Sequence, residues 1–200
     1  MGVAREATEP RVYELKVTLE GSAPAIWRRI RVPGDVTLAR LHRILQTTMG
    51  WGEMHHHQFV IRGRCYGRPD REGEVQDERR VRLAEVVRRA GSRFIYEYDF
   101  DDGWVHDVRV ERILSAEEGT QAPACLAGER ACPPEDVGGM YGYYDVLALL
   151  QNGRSAGHER AQEWIGERFD PDAFDVETVN RRLGSVRKRP EGATTKGTSG

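Results

Sequence analysis

The chain is almost without lysine. Lys16, Lys188 and Lys196 are the only three among thirty basic residues, and the other twenty-seven, all arginine, are scattered along 200 positions. A surface for bidentate phosphate contacts needs its arginines gathered together, so this usage reads as a compositional bias of the genome. Excess charge is missing too. Thirty basic residues face thirty-two acidic ones, which leaves the whole molecule no footprint for nucleic acid or anionic membrane. No apolar run approaches the roughly 20 residues of a membrane span, and the opening MGVAREATEP has no apolar signal core. Cysteine occurs three times, an odd number that argues against a secreted disulfide framework. The expected location is therefore the cytoplasm, with no membrane partner. No G-x-x-x-x-G-K-[ST] loop occurs, and no G-x-G-x-x-G joins a strand to a helix.

What is present is alternation, then helical periodicity. VYELKVTLE sets Tyr13, Leu15, Val17 and Leu19 on one face, and IWRRIRV returns after the turn GSAP with Ile26, Ile30 and Val32 aligned. Such a period of two predicts an antiparallel hairpin. LARLHRILQTTM follows, capped by Thr37 and closed by Gly50, with Leu38, Leu41, Ile44 and Leu45 at helical spacing. A third strand covers HHQFVIRG, and residues 67–80 read as an exposed charged loop. VRLAEVVRRAG reads as a short helix ending at Gly91. RFIYEYDF and WVHDVRVERIL form the clearest hairpin, turning at DDG. After residue 140, YDVLALLQ, HERAQEWI and VETVNRRL predict three helices closed by Asn152-Gly153, Gly166 and Gly184, the last capped by Asp175.

The sum is an α+β fold, an antiparallel sheet built from hairpins and packed with helices, with a C-terminal helical segment. Residues 11–184 form one domain. Residues 1–10 are a flexible lead-in, and 185–200, with the cluster Arg187-Lys188-Arg189, a disordered tail.

Several stretches occur together and in order: LHRILQTTMGW, HHHQF, YEYDFDDGWVH, CLAGERACPPEDVGGMYGY, EWIGERFDP and FDVETVNRRL. In these the chain resembles the plasmid pRiA4b ORF-3-like family, which includes insertion-element passenger proteins labelled TnpR. The resemblance covers roughly residues 11–184 and implies an α+β fold and a mobile-element setting, without naming a reaction. Similar proteins have Gly where Asp101 stands, so Gly103 has to supply the positive φ of the turn. A recombinase is not implied. The only early serine, Ser22, lies in a turn, and His106 and Arg109 in H-x-x-R point to opposite faces of a strand.

Four residues are candidate zinc ligands. Cys125 and Cys132 are separated by six residues, wider than a zinc knuckle, and His55 and His57 can supply the rest. The same thiols also suit a buried, purely structural role. A nucleophilic cysteine would need a signature that is absent. A binding surface is expected where the CPPEDVGG loop meets the hairpins, from His42, Tyr98, Asp99, Trp104, His106, Glu135, Asp136 and Tyr141. The carboxylates there suit a hard cation or acid–base work, and equally a polar turn. Three functions follow: a binding or interaction module, with a protein partner possible; a zinc-dependent, hydrolase-like enzyme; and a nucleic-acid accessory protein using IWRRIRV and the basic tail.

Overall fold

The structure, a computed structural model, describes residues 11–69, 73–118, 122–151, 156–165 and 169–188. One eight-stranded sheet organises them. In chain order the elements are β1 (Arg11–Leu19), β2 (Trp27–Pro33), α1 (Leu38–Met49), β3 (His57–Ile61), β4 (Arg64–Gly67) and β5 (Gln76–Asp77). A 3-10 turn, Glu78–Arg80, and a single-turn helix α2 (Leu83–Val86) come next. Then follow β6 (Arg93–Tyr98), β7 (Trp104–Ser115), β8 (Ala124–Glu129), α3 (Gly139–Gln151), α4 (Ala156–Ile165) and α5 (Val176–Lys188).

Across the sheet the order is β5-β4-β3-β6-β7-β1-β2-β8. Every pairing is antiparallel except the short β4–β5 contact. The inner face is apolar because alternation puts Tyr13, Leu15, Val17, Ile30, Phe59, Tyr96, Val108 and Val110 on it, all fully buried. Leu38, Leu41, Ile44 and Leu45 of α1 join the same core. Each such side chain contributes about 1.5–3 kcal/mol by leaving water. The outer face is laced with ion pairs, Arg29–Glu111 at 2.5 Å and Arg31–Glu14 at 2.6 Å, and Lys16 and Arg29 lie over the Trp27 ring. Arginine in IWRRIRV is thus largely paired across strands.

The α+β class and the two main hairpins stand as the sequence predicts. Thr37 accepts the Arg40 N–H as a cap, and Gly50 ends α1 at φ 100°. Other boundaries differ. The helix expected over 81–91 shrinks to Leu83–Val86, because β-branched Val87 turns extended and its carbonyl accepts the Tyr13 hydroxyl at 2.8 Å. The charged stretch 67–80 is not all exposed loop, since it holds β5 and the buried Glu78. Ala124–Glu129, to which the sequence pattern assigns no element, is a strand added to β2 at the sheet edge. α5 continues through Gly184 to Lys188. Asn152-Gly153, Gly166, residues 1–10 and the remainder of the tail lie outside the described residues.

Candidate metal centre

The turn between β6 and β7 is organised by one carboxylate. Asp99 is buried and adopts φ 56°, a left-handed conformation that aspartate tolerates better than most residues. Its Oδ1 accepts the N–H groups of Asp101 and Asp102, its carbonyl accepts the Gly103 N–H at 2.7 Å, and its own N–H donates to the His56 carbonyl at 2.8 Å. Oδ1 is therefore committed to the turn, and Oδ2 is the oxygen left on the side of His55.

The segment CPPEDVGG closes over this turn, and nearly every residue in it has a contact that explains it. The Pro133 carbonyl accepts the Trp51 indole N–H at 2.9 Å. Glu135 accepts the Gly52 N–H on Oε2 at 3.1 Å and the Tyr98 hydroxyl on Oε1. Tyr98 in turn accepts the Met54 N–H at 3.2 Å. Val137 is buried in the core. Gly138 donates its N–H to Asp102 Oδ2. Gly139 has φ 66°, and a Cβ there would stand 2.4 Å from the Asp102 carbonyl oxygen, so glycine is required on both counts. Tyr98 is the common tie. Its ring lies 5.1 Å from that of Trp51, and its hydroxyl joins the chain around Met54 to Glu135. Burial, reinforced by the Glu135 charge, raises its pKa far above that of a free tyrosine, so it stays a hydrogen-bond donor.

These contacts bring together three residues from three segments. His55, Asp99 and Asp136 offer one ligand atom each, all within 4.8 Å of one another. His55 Nε2 stands 3.2 Å from Asp136 Oδ1 and 3.6 Å from Asp99 Oδ2. That nitrogen is closed off from solvent, yet it makes no hydrogen bond among the described residues. Both oxygens lie within ion-pair distance of it, and Asp99 Oδ2 is beyond hydrogen-bond distance. Two donors, each about 2.0–2.2 Å from a shared ion, stand about 3 to 3.5 Å apart at octahedral to tetrahedral angles. The 3.2 and 3.6 Å separations match ligands around a shared cation, and equally an ion pair of a protonated imidazole with two carboxylates. Asp136, like Asp99, has positive φ, at 59°. Strained conformations of this kind gather at functional sites.

The four zinc candidates do not converge. Among the described residues, no cluster of three potential ligands contains Cys125, Cys132 or His57. His57 starts β3 and turns inward, where its Nε2 pairs with buried Glu78 at 2.8 Å and its ring stacks on His42 at 3.4 Å. His55 precedes β3, so strand alternation does not align it with His57. The two thiols lie beside the buried guanidinium of Arg28, which donates to the carbonyls of Thr48, Trp27 and Glu129 and stacks on Phe174. That fixed cation opposes a second positive charge between the sulfurs. Burial outweighs its help: the Cys125 thiol is raised, and Cys132 is pushed up to about 12. Both are held protonated, which argues against a nucleophile.

Of the expected binding surface, Tyr98, Asp99, Glu135 and Asp136 meet at the cluster. Tyr141 is 90% exposed on α3. His42, Trp104 and His106 are buried instead. His42 Nδ1 bonds the Tyr96 hydroxyl at 2.7 Å, and His106 Nδ1 bonds the Tyr96 carbonyl at 3.1 Å. Burial lowers the pKa of both, that of His106 to about 4. The sequence reading named all three cluster residues but divided them between two groups, because their meeting depends on tertiary contacts made by Glu135 and Asp102.

The architecture and site define an α+β protein with a His–Asp–Asp cluster at the junction of a hairpin turn and a proline–glycine loop. Residues 11–178 match the plasmid pRiA4b ORF-3-like protein family, and the chain belongs to it. It is 39% identical over 177 residues to the uncharacterized protein y4hQ of Sinorhizobium fredii, spanning 86% of this chain and 90% of that protein. A crystal structure of MM3350 from Methanosarcina mazei Go1, a protein of unknown function, is similar with a TM-score of 0.76 and 35% identity. That similarity covers 85% of this chain and 98% of the other.

Proposed function

We propose that this protein is a metal-dependent binding module, in which His55, Asp99 and Asp136 hold one divalent ion of the zinc class. The observation that carries this reading is the state of His55 Nε2, shielded from solvent, without a hydrogen bond among the described residues, and faced by two carboxylate oxygens at 3.2 and 3.6 Å. One imidazole nitrogen with two carboxylate oxygens suits zinc and its neighbours better than calcium or magnesium, which prefer oxygen alone. The site shares only His55 with the candidate set Cys125, Cys132, His55 and His57 considered from sequence. A hydrolytic enzyme is the second reading. Asp136 is 73% exposed, so a bound ion would keep positions open to water, whose pKa zinc lowers to about 7. A cytoplasmic setting belongs to the same reading, supported by three free cysteines, as does a mobile-element setting, supported by the family description.

The test is competition titration of tag-free protein against a chromogenic chelator with zinc and manganese. Stoichiometric uptake is expected, lost in His55→Ala and Asp136→Asn and kept in His56→Ala and in the Cys125→Ser/Cys132→Ser double variant. Uptake that follows the cysteines, or no uptake, would sink the reading.

A further inference from the structure

The three segments that build the cluster contain no lysine or arginine at all. None occurs in residues 44–61, 94–108 or 131–153, although the whole chain has thirty. Around the cluster those segments bring Glu53, Asp99, Asp101, Asp102, Glu135 and Asp136. A divalent ion on His55, Asp99 and Asp136 neutralises two of these six charges and leaves the mouth acidic. Phosphate-handling sites meet the ligand's charge with arginine, lysine, clustered backbone N–H groups or a bound metal; here the segments offer no arginine or lysine beside the ion, and four carboxylates remain. The same segments also carry three of the most exposed large apolar side chains: Met54 at 77%, Phe100 at 57% and Tyr141 at 90%. Each lies one to five residues from a cluster ligand. Phe100 also lies against the exposed His56 ring, with centroids 6.4 Å apart.

We infer that this mouth docks a peptide segment that carries arginine or lysine beside an apolar side chain, a reading that rests on the metal site above. The carboxylates left over by the ion meet the cation. Met54, Phe100 and Tyr141 meet the apolar group, and a peptide carbonyl reaches the ion's open positions as a neutral ligand. Charge complementarity selects this occupant over an oligonucleotide, whose phosphates need a basic surface.

The test is fluorescence anisotropy on the full chain, loaded with zinc, using three labelled probes. These are a hexapeptide of alternating arginine and phenylalanine, its glutamate counterpart and a single-stranded oligonucleotide. The arginine peptide should bind about tenfold or more tighter than the glutamate peptide, and more weakly as salt rises. The exposed double substitution Phe100→Ser/Tyr141→Ser, and separately Asp101→Asn, should each weaken it by about tenfold while zinc uptake stays unchanged. Equal binding of the glutamate peptide, preference for the oligonucleotide, or indifference to these substitutions would overturn the inference and leave the metal reading standing. Failure to take up zinc in the prior titration would overturn both.

Discussion

Tyr98→Phe removes one oxygen atom and keeps the ring that packs against Trp51. The hydroxyl donates to the Glu135 carboxylate and accepts the Met54 N–H, so it spans the segment before His55 and the one that carries Asp136. A hydrogen bond to a charged group contributes about 1.5–3 kcal/mol. Glu135 is half-buried and keeps the Gly52 N–H, so the loss in global stability should fall near the lower bound, about 1–2 kcal/mol. The effect on metal binding should be larger in proportion. Partners that hold the elements of a metal site typically change affinity by about 10–100-fold when removed. The assay pairs zinc competition titration with urea unfolding of the apo protein. Tyr96→Phe is the control, since its hydroxyl serves His42 and Gln46 in the core; it should lower stability and leave zinc affinity unchanged. Wild-type zinc affinity in Tyr98→Phe, or equal losses in both variants, would refute the reasoning.

Gly139→Ala should be more severe than any side-chain deletion in the loop. It combines a positive φ, costing about 1–2 kcal/mol for an L-residue, with a Cβ 2.4 Å from the Asp102 carbonyl oxygen; a lower urea midpoint together with lost zinc uptake is the expected result. Acid should destabilise the fold early. His106 is depressed to about 4 and His42 is also lowered, both by burial, so the unfolded chain takes up protons near pH 6.5 that the folded chain refuses. Stability is then intact above that pH and falls by roughly 1.4 kcal/mol per pH unit for each histidine as pH drops toward the folded value. A urea midpoint that stays flat from pH 7 to 5 would contradict it. With Cys132 pushed up to about 12 and Cys125 also raised, alkylation of both at pH 8 should follow unfolding, and rapid labelling of the native protein would count against the burial described.

Much of this fold is written in local patterns. The alternation in VYELKVTLE and RFIYEYDF and the capped periodicity of α1 are properties of short windows, and each element stands where its window puts it. Less visible are β4, β5 and β8. Residues 64–67 and 124–129 carry no clean alternation, and they become strands by pairing with edges that β3 and β2 provide. The CPPEDVGG segment shows the same division. Its prolines and glycines announce an ordered connector, while the partners that explain them, Trp51, Tyr98 and Asp102, lie 36 to 82 residues away. Cysteine and histidine drew attention as metal ligands because zinc motifs are recognised by spacing. Two aspartates held at positive φ have no such spacing, and only the folded chain sets them against His55.

The measurement that tests the metal site most directly is an anomalous difference map from crystals grown with zinc, collected on both sides of its absorption edge. The account predicts one strong peak between His55 Nε2, Asp99 Oδ2 and Asp136 Oδ1, at about 2.0–2.2 Å from each. A peak at Cys125 and Cys132, or a zinc-soaked crystal with His55 Nε2 unligated, would contradict it.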